Sequence, residues 1–354
     1  MPFAMFFTSR LSVRILLIAA LLMLATYAMA QECAHHGQLD AGYCDNNNDL
    51  VADAPQDPKK WKDPSTIVFA YTPVEDPAVY ANIFKPFTDY LAKCTGKKVF
   101  YYPVQSNSAE IEAMRSGRLH VAGFSTGPTG FAVNLAGAVP FAAMGTEKGP
   151  QGYRLIALVR KDSAYQKLSD LKGKKVAHTS ASSNSGNLAP LVLYPKEGLT
   201  PNVDYKPIMS GGHDKSAIGV AAGDYDMAGV ASSVYERMVA RGTVKAEDLR
   251  TIYSSELFPT SSYAYAHDLK PELAAKIVAC FRDFRFPPDM QKEFKGNDRF
   301  FPITYEKDWK VVRDIAEGSG TPYNKAAYEA QKARDEAKAK KKKEQASQAK
   351  KPVQ

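Results

Sequence analysis

The sequence lacks an apolar run long enough to cross a membrane. Its longest such run, residues 15–25, has 11 residues, whereas a membrane-spanning helix needs about 20. Two arginines precede the run and Ala28-Met29-Ala30 follow it, which is the order of a cleaved secretory signal peptide. We therefore expect cleavage near Ala30 and a periplasmic mature chain. Cys33 lies two positions too late to be a lipid-anchored cysteine, which disfavours a lipoprotein.

The body of the chain also lacks an excess of either charge. The formal net charge is +8, but two of these charges lie in residues 1–30 and six lie in the lysine-rich tail, 324–354. Residues 31–323 are therefore neutral overall and lack the net basic excess that is typical of nucleic-acid-binding proteins. The tail is rich in Ala, Lys and Gln with few large apolar residues, which predicts disorder or a frayed helix.

Cysteine is scarce, with four residues in the whole chain. In an exported protein, four cysteines are typical of disulfides rather than of reactive thiols. Of the three possible pairings we favour Cys33 with Cys44, which flank a short polar loop. Cys94 and Cys280 would then pair, and each falls near the end of a predicted helix. The alternative is a zinc site, which export disfavours; its ligands would be Cys33, His35, His36 and Cys44.

Residues 31–64 are rich in Asn, Asp and Pro and precede the first predicted strand, so we interpret them as an N-terminal extension. Four of their side chains follow the ligand spacing of a calcium loop: Asp45, Asn47, Asp49 and Asp53. The match is incomplete, because Leu50 replaces the turn glycine and Gln56 replaces the bidentate glutamate. The pattern predicts either a structural calcium ion or an Asx-rich turn. We expect no other cofactor.

From Thr66 onward, β-rich runs and helical patterns alternate, which predicts α/β layers with largely parallel sheets. A body of this length is near the size limit of a single core, so we expect two lobes. Lobe I comprises 65–157 and 256–323, and lobe II, 158–255, is inserted through two crossing strands. The predicted strands are 66–73, 98–104, 119–124, 152–160, 175–179, 205–209, 226–231, 249–253 and 262–266, and the predicted helices are 77–93, 107–117, 213–222 and 271–284, with another from Ser185.

Three clusters of Ser, Thr and Gly lie at predicted strand-to-helix junctions: 124–128, 179–186 and 210–216. In open α/β sheets the ligand crevice lies beyond the carboxyl ends of the strands. A helix that begins there presents free backbone N–H groups and a positive dipole end. One cluster alone is typical of a helix cap. Three together predict a site for a small tetrahedral oxyanion held by neutral donors.

Single residues near these clusters have further interpretations. Two glycines precede His213, so the backbone can approach a ligand closely, and we interpret His213 as a donor to the anion. Tyr71, at the end of the first strand, is expected to form part of the cleft wall. Residues 123–127 also fit the G-x-S-x-G pattern of serine hydrolases, with Ser125 as nucleophile. We favour a binding protein that is not an enzyme, because no oxyanion-hole segment precedes this pattern and no later histidine has a triad context.

The order of the motifs resembles that of the phosphate/phosphite/phosphonate-binding proteins of ABC importers. The resemblance is carried by E-A-M-R-S-G-R-L-H-V-A-G-F, S-S-N-S-G-N-L-A-P, S-G-G-H-D-K-S and A-A-G-D-Y-D-M-A, and it extends from Phe69 to about Pro322. It implies a type II periplasmic-binding-protein fold, in which two α/β lobes joined by a two-strand hinge close on a ligand. It also implies the residues that hold the phosphorus oxygens: Ser183, Asn184, Ser185 and His213, faced by Ser125 and Thr126 from the other lobe.

The resemblance implies a function as well: a monomer captures a phosphonate, phosphite or phosphate outside the inner membrane and delivers it to an ABC permease. Asn184 replaces a common threonine of the family, and Ser233 and Ser261 stand where relatives that hold an amine carry carboxylates. We therefore expect an anion without a cationic group. A second interpretation is a sensor that reports its ligand to a membrane histidine kinase, because such receptors share this fold.

Overall fold

The computed structural model describes residues 33–72, 74–75, 78–330 and 332–333. The predicted signal peptide and most of the lysine-rich tail lie outside the described residues. Within the described ranges, no helix combines the length and the apolar character that crossing a bilayer requires.

Two α/β lobes contain the strands and helices. In chain order the strands are β1 (Thr66–Tyr71), β2 (Lys98–Tyr101), β3 (Val121–Phe124), β4 (Ala138–Thr146), β5 (Gly149–Pro150), β6 (Gly152–Arg160), β7 (Val176–His178), β8 (Ile208–Met209), β9 (Met227–Ala231), β10 (Leu249–Pro259), β11 (Ser262–Ala266) and β12 (Arg299–Pro302). The helices are α1 (Ala78–Thr95), α2 (Asn107–Arg115), α3 (Thr126–Ala136), α4 (Ala189–Leu193), α5 (His213–Ala222), α6 (Ser232–Ala240), α7 (Pro271–Asp283), α8 (Pro288–Glu293), α9 (Tyr305–Asp308) and α10 (Lys310–Gly318). A π-helical turn, Asn184–Leu188, leads into α4.

Each lobe is built on one mixed sheet. The strand order is β12-β4-β11-β3-β1-β2 in lobe I, with β5 on β4, and β10-β6-β9-β7-β8 in lobe II. The prediction of largely parallel sheets was wrong, because β11 lies antiparallel between β3 and β4, and β6 lies antiparallel between β9 and β10. The cause is the insertion itself. The chain leaves lobe I after β5 and returns in β11, so the outgoing strand β6 and the returning strand β10 run in opposite directions.

The chain passes between the two sheets at Gln151 and at 260–261. β6 and β10 pair from Gly152 with Pro259 to Arg160 with Leu249, so both strands lie wholly in lobe II. The boundaries predicted at 157/158 and 255/256 therefore fall inside these strands. The helix α10 contributes to both cores: Val312 belongs to the core of lobe I and Ile315 to the core of lobe II.

Local sequence explains where several helices begin and end. α7 begins at Pro271, which suits a first helical turn because that position needs no backbone N–H donor. α5 ends at Ala222 and is capped by Gly223, whose φ of 84° is a left-handed conformation that glycine adopts without steric cost. The cavity described below lies at the amino-terminal ends of α2, α3 and α5.

The structure pairs Cys33 with Cys44 and Cys94 with Cys280, which is the pairing that the sequence favoured. The first disulfide removes the thiolates on which the alternative zinc site depended. The second joins α1 to α7 and so connects the two chain segments of lobe I. The N-terminal extension packs on this lobe, because Leu39 belongs to its core.

The lysine-rich tail begins as packed structure. Residues 325–330 are helical, and Tyr328 is buried against Phe131 with ring centroids 5.6 Å apart. The Tyr328 hydroxyl donates to the carbonyl of Ser108 at 3.2 Å. The predicted tail therefore contributes to lobe I in its first residues, and residues 334–354 lie outside the described part of the chain.

The side chains of the predicted calcium loop bond to its own backbone. Asp45 accepts from the N–H of Leu50 at 3.2 Å, Asp53 accepts from the N–H of Asn46 at 2.8 Å, and the Asn47 side-chain oxygen accepts from an N–H two residues on at 3.2 Å. Across the residues that the structure describes, no three Asp, Glu, His or Cys side chains are grouped so that they could hold a metal ion. This geometry supports the Asx-rich turn.

We expect the melting temperature to be unchanged when calcium is removed by a chelator, because backbone N–H groups already satisfy these oxygens. Differential scanning calorimetry with and without EDTA tests this expectation. A fall in melting temperature that added calcium reverses would instead establish the calcium site.

Candidate functional site

A cavity of about 280 Å³ lies between the lobes. Lobe I, lobe II and both crossing segments contribute to its wall, so its shape depends on how the lobes meet. It is lined by all seven residues predicted to bind the ligand: Tyr71, Ser125, Thr126, Ser183, Asn184, Ser185 and His213. Their contacts with a ligand stay a prediction.

On the lobe II side, the loop after β7 turns sharply into a helix. The Ser183 hydroxyl accepts from the N–H of Gly186 at 3.1 Å and so caps the π-helical turn. A side chain at Gly186 would put a Cβ 1.8 Å from the Thr179 hydroxyl, so this turn needs glycine. π-helical turns are rare and occur often at functional sites. Here the turn places Asn184 and Ser185 in the cavity wall.

His213 is a neutral hydrogen-bond donor in this site. Its Nδ1 accepts from the N–H of Ala231 at 3.2 Å, so the proton of the neutral ring is on Nε2. Nε2 lies 3.5 Å from the Ser183 hydroxyl, in the cavity wall. Burial lowers the pKa of His213 to about 4, so the ring stays uncharged at neutral pH.

Several polar atoms of the wall are buried and bond to no other atom of the described residues. They are the hydroxyls of Thr179, Ser185 and Thr260 and the side-chain oxygen of Asn184. The Asn184 amide group donates to the Tyr153 hydroxyl at 3.2 Å, which leaves that oxygen available as an acceptor. A buried polar atom without a partner costs about 1–3 kcal/mol. These atoms are therefore candidate ligand contacts.

On the lobe I side, Asn107 is the centre of the polar wall. Its oxygen accepts from Thr72 at 3.1 Å and from Ser125 at 3.4 Å, and its amide group lies 3.5 Å from the Ser182 hydroxyl of lobe II. The last contact spans the cleft, so the lobes are closed. Ser125 bonds to an asparagine rather than to a histidine, which does not support the hydrolase interpretation. The Thr126 hydroxyl donates to the carbonyl of Pro259 at 2.9 Å, towards the hinge.

The predictions missed Asn107, Tyr153 and Arg237, all of which line the cavity. Asn107 had a readable signal, since Ser106 and Asn107 follow β2 at a fourth strand-to-helix junction. Tyr153 lies inside a strand and Arg237 inside a helix, and no local pattern distinguishes either. Among the described residues that line the cavity, Arg237 carries the only full charge and no Asp or Glu is present.

We expect the stability of the protein to fall as the pH is lowered from 6.5 to 4. Burial lowers the pKa of both His178 and His213 to about 4, whereas the unfolded chain protonates histidine near a pKa of about 6.5. In this window the unfolded chain binds more protons than the folded chain. Each histidine therefore lowers the free energy of unfolding by up to about 1.4 kcal/mol per pH unit. Above pH 6.5 the contribution of the two histidines to stability is fully present and no longer changes with pH.

Urea denaturation between pH 7.5 and 4.5 measures this effect. The His178→Gln variant cannot take up a proton at this position and should show a shallower dependence on pH. A dependence equal to that of the unsubstituted protein would contradict the assignment to His178.

Known proteins resemble this chain in sequence and in fold. Residues 69–307 match the sequence profile of the family described as ABC transporter, phosphonate, periplasmic substrate-binding protein. The chain is 30% identical over 275 residues to the phosphate-import protein PhnD of Mycolicibacterium smegmatis, and the match covers 74% of this chain and 85% of that protein.

Two solved structures share the fold. A binding protein component of a phosphonate ABC transporter from Pseudomonas aeruginosa has a TM-score of 0.65 at 22% identity, over 81% of this chain and 100% of that chain. PhnD1 of Prochlorococcus marinus in complex with methylphosphonate has a TM-score of 0.64 at 18% identity, over 72% of this chain and 98% of that chain. The predicted type II periplasmic-binding-protein fold is confirmed.

Proposed function

Because this chain belongs to the family of phosphonate-binding periplasmic substrate-binding proteins of ABC transporters, we propose that its cavity binds a small phosphonate or phosphate-like anion without a cationic group. Solute binding for an ABC importer is the function predicted from the sequence, and family membership confirms it. The identity of the anion is the part that we infer from the cavity.

The observation that carries this proposal is the neutral donor set. His213 offers an uncharged N–H, the Ser183 hydroxyl lies 3.5 Å from its Nε2, and Ser185 lies in the same wall. The free oxygen of Asn184 is an acceptor, which suits the protonated oxygen of a phosphonate monoanion. Each bond to the anion is charge-assisted and therefore stronger than a bond between neutral groups.

The apolar part of the wall indicates which substituent is bonded to the phosphorus atom of the ligand. Val74, Val234 and Phe294 form apolar surface in the cavity, which suits hydrogen or a short alkyl group. An ammonium group would find no carboxylate among the described lining residues, since Ser233 and Ser261 occupy the expected positions. It would instead meet the guanidinium of Arg237. Methylphosphonate fits these conditions, and 2-aminoethylphosphonate does not.

Isothermal titration calorimetry with methylphosphonate, phosphite, phosphate and 2-aminoethylphosphonate tests the proposal. We expect the aminophosphonate to bind most weakly. The His213→Ala variant should lose about 10- to 100-fold in affinity, because a hydrogen bond to a charged group contributes about 1.5–3 kcal/mol. The His213→Gln variant keeps an N–H donor and is the matched control. No binding of any of the four anions at millimolar concentration would overturn the ligand assignment.

We also infer that the exported monomer, cleaved near Ala30, delivers the anion to ABC permease subunits and catalyses no reaction. The short apolar run with its small-residue site supports export, and family membership supports the permease as partner. The bond between Ser125 and Asn107 supports the absence of a serine nucleophile. Labelling of Ser125 by a fluorophosphonate reagent would contradict this inference.

A further inference from the structure

Charged residues of opposite sign face each other across the edge of the cleft between the lobes. Lobe II presents Arg237, from α6, and Arg241, directly after it. Lobe I presents Glu75, after β1, and Glu293, at the end of α8. We call these four residues the ionic latch. Every ion pair within it joins one lobe to the other.

The contacts of the latch are close and shared. Glu75 accepts from Arg237 at 2.7 Å and from Arg241 at 2.5 Å. Glu293 accepts from Arg241 Nε at 3.2 Å and lies 3.5 Å from Arg237 Nε. The Tyr80 hydroxyl donates to Glu75 at 2.9 Å. Each carboxylate therefore meets both guanidinium groups, and the cluster is electroneutral.

A further pair extends the same contact. Lys295 of lobe I donates to Glu236 of α6 at 2.6 Å, but both side chains are partly exposed. The latch itself is more buried: the side chains of Glu75 and Arg237 are 4% and 9% exposed. Burial would raise the pKa of Glu75, but the two guanidinium groups lower it below its ordinary value, so the carboxylate is charged.

The position of Arg237 connects the latch to the ligand. Its side chain lines the cavity, and its Nη1 donates to the carbonyl of Ser233 at 3.2 Å, which holds it against α6. Separation of the lobes would move Arg237 and Arg241 away from both carboxylates and would let water hydrate all four charges. The latch is therefore formed only in the closed protein.

We propose that Glu75, Glu293, Arg237 and Arg241 are affinity determinants that act by holding the lobes closed around the bound anion. Glu75, Glu293 and Arg241 are positioning residues, since they do not line the cavity, whereas Arg237 does. Removing one partner leaves an unpaired charge that is buried in the closed protein and solvated in the open one. The substitution therefore raises the free energy of the closed protein relative to the open one and does not change the stability of the fold. The inference rests on the proposed binding of a phosphorus anion between the lobes.

The Glu75→Gln variant tests the latch with methylphosphonate as the probe. We expect affinity to fall by about 100-fold or more, mainly through faster dissociation in stopped-flow kinetics, because the latch must break before the anion can leave. The melting temperature without ligand should change little. Asp89→Asn is the matched control: it makes the same change at the exposed Lys85–Asp89 pair within α1 and should leave affinity unchanged.

Two further variants separate the latch from a merely structural role. Arg241→Met should speed dissociation, and Arg241→Lys should restore part of the loss because it keeps the charge. If Glu75→Gln fails to fold, Glu293→Gln makes the corresponding change at a more exposed carboxylate. Unchanged dissociation in the folded carboxylate variant would overturn the proposal.

A failure of the ligand assignment can be told from a failure of the latch. If the unsubstituted protein binds none of the anions, small-angle X-ray scattering of the unliganded proteins still measures closure. We expect a larger radius of gyration in Glu75→Gln than in the unsubstituted protein. Equal radii of gyration of the two unliganded proteins would overturn the proposal that the latch holds the lobes closed.

Discussion

Replacing Gly127 with alanine should weaken ligand binding by up to about 100-fold while leaving both lobes folded. A Cβ at this position of α3 would lie 2.0 Å from the carbonyl oxygen of Ser182 and 3.0 Å from the backbone nitrogen of Asn184. Gly127 belongs to lobe I and the other two residues to lobe II. Because both contacts are with backbone atoms, no side-chain rotation relieves the clash, and the lobes must separate at this point.

Alanine fits the helical backbone at position 127, so the substitution does not strain α3 itself. Overpacking typically costs about 1–3 kcal/mol and sometimes more, which corresponds to a loss of affinity of up to about 100-fold. Isothermal titration with methylphosphonate measures this loss, and the melting temperature of the unliganded protein reports folding.

Gly42→Ala is the control for this variant, because a Cβ at Gly42 has no neighbour within 4 Å. It should bind as tightly as the unsubstituted protein. Unaltered affinity of Gly127→Ala would show that the lobes do not need this close approach to hold the ligand.

Removing the disulfide between Cys94 and Cys280 should destabilise the protein by about 2–5 kcal/mol. The bond connects residues separated by 186 positions, and lobe II lies within that span. In the chain-entropy account a disulfide stabilises by restricting the unfolded chain, and the effect grows with the length of the loop that it closes. The same bond fastens α1 to α7, which come from the two chain segments of lobe I.

Guanidinium denaturation of the Cys94→Ala/Cys280→Ala variant measures this loss of stability. The chain supplies its own control in the Cys33→Ala/Cys44→Ala variant, whose disulfide spans 11 positions. The short loop should cost about 2 kcal/mol less than the long one. Equal losses in the two variants would contradict the dependence on loop length.

Much of the fold could be predicted, because strands and helices with one exposed and one buried face show a regular period of apolar and polar residues in the sequence. The bounds of β6, β11 and α5 agree with prediction at both ends. The strand β4 was missed, and of the helix α3 only the start, at the cluster 124–128, was predicted. Every residue of α3 is buried, so it has no polar face and no helical period. β4 contains Pro140 and several alanines, which are poor strand formers.

The site residues likewise divide into those that the sequence predicted and those that it did not. Ser125, Ser183 and His213 were recognised because each lies in a polar cluster that follows a strand, and the carboxyl ends of strands meet in one crevice. Tyr153 and Arg237 have no such local context. Tyr153 reaches the cavity because it lies near the start of β6, close to the crossing at Gln151, and Arg237 reaches it because lobe closure brings α6 to the cleft.

The sequence by itself determined the chemistry of the site: an exported, neutral body with uncharged donors at the ends of its strands, suited to a small oxyanion. These features are local, because a helix start, a cap and a signal peptide each depend on a few adjacent residues. Only the tertiary structure decided how the lobes close. The ionic latch joins Glu75 to Arg237, 162 positions apart, and a contact over that distance is set by packing and not by any local pattern.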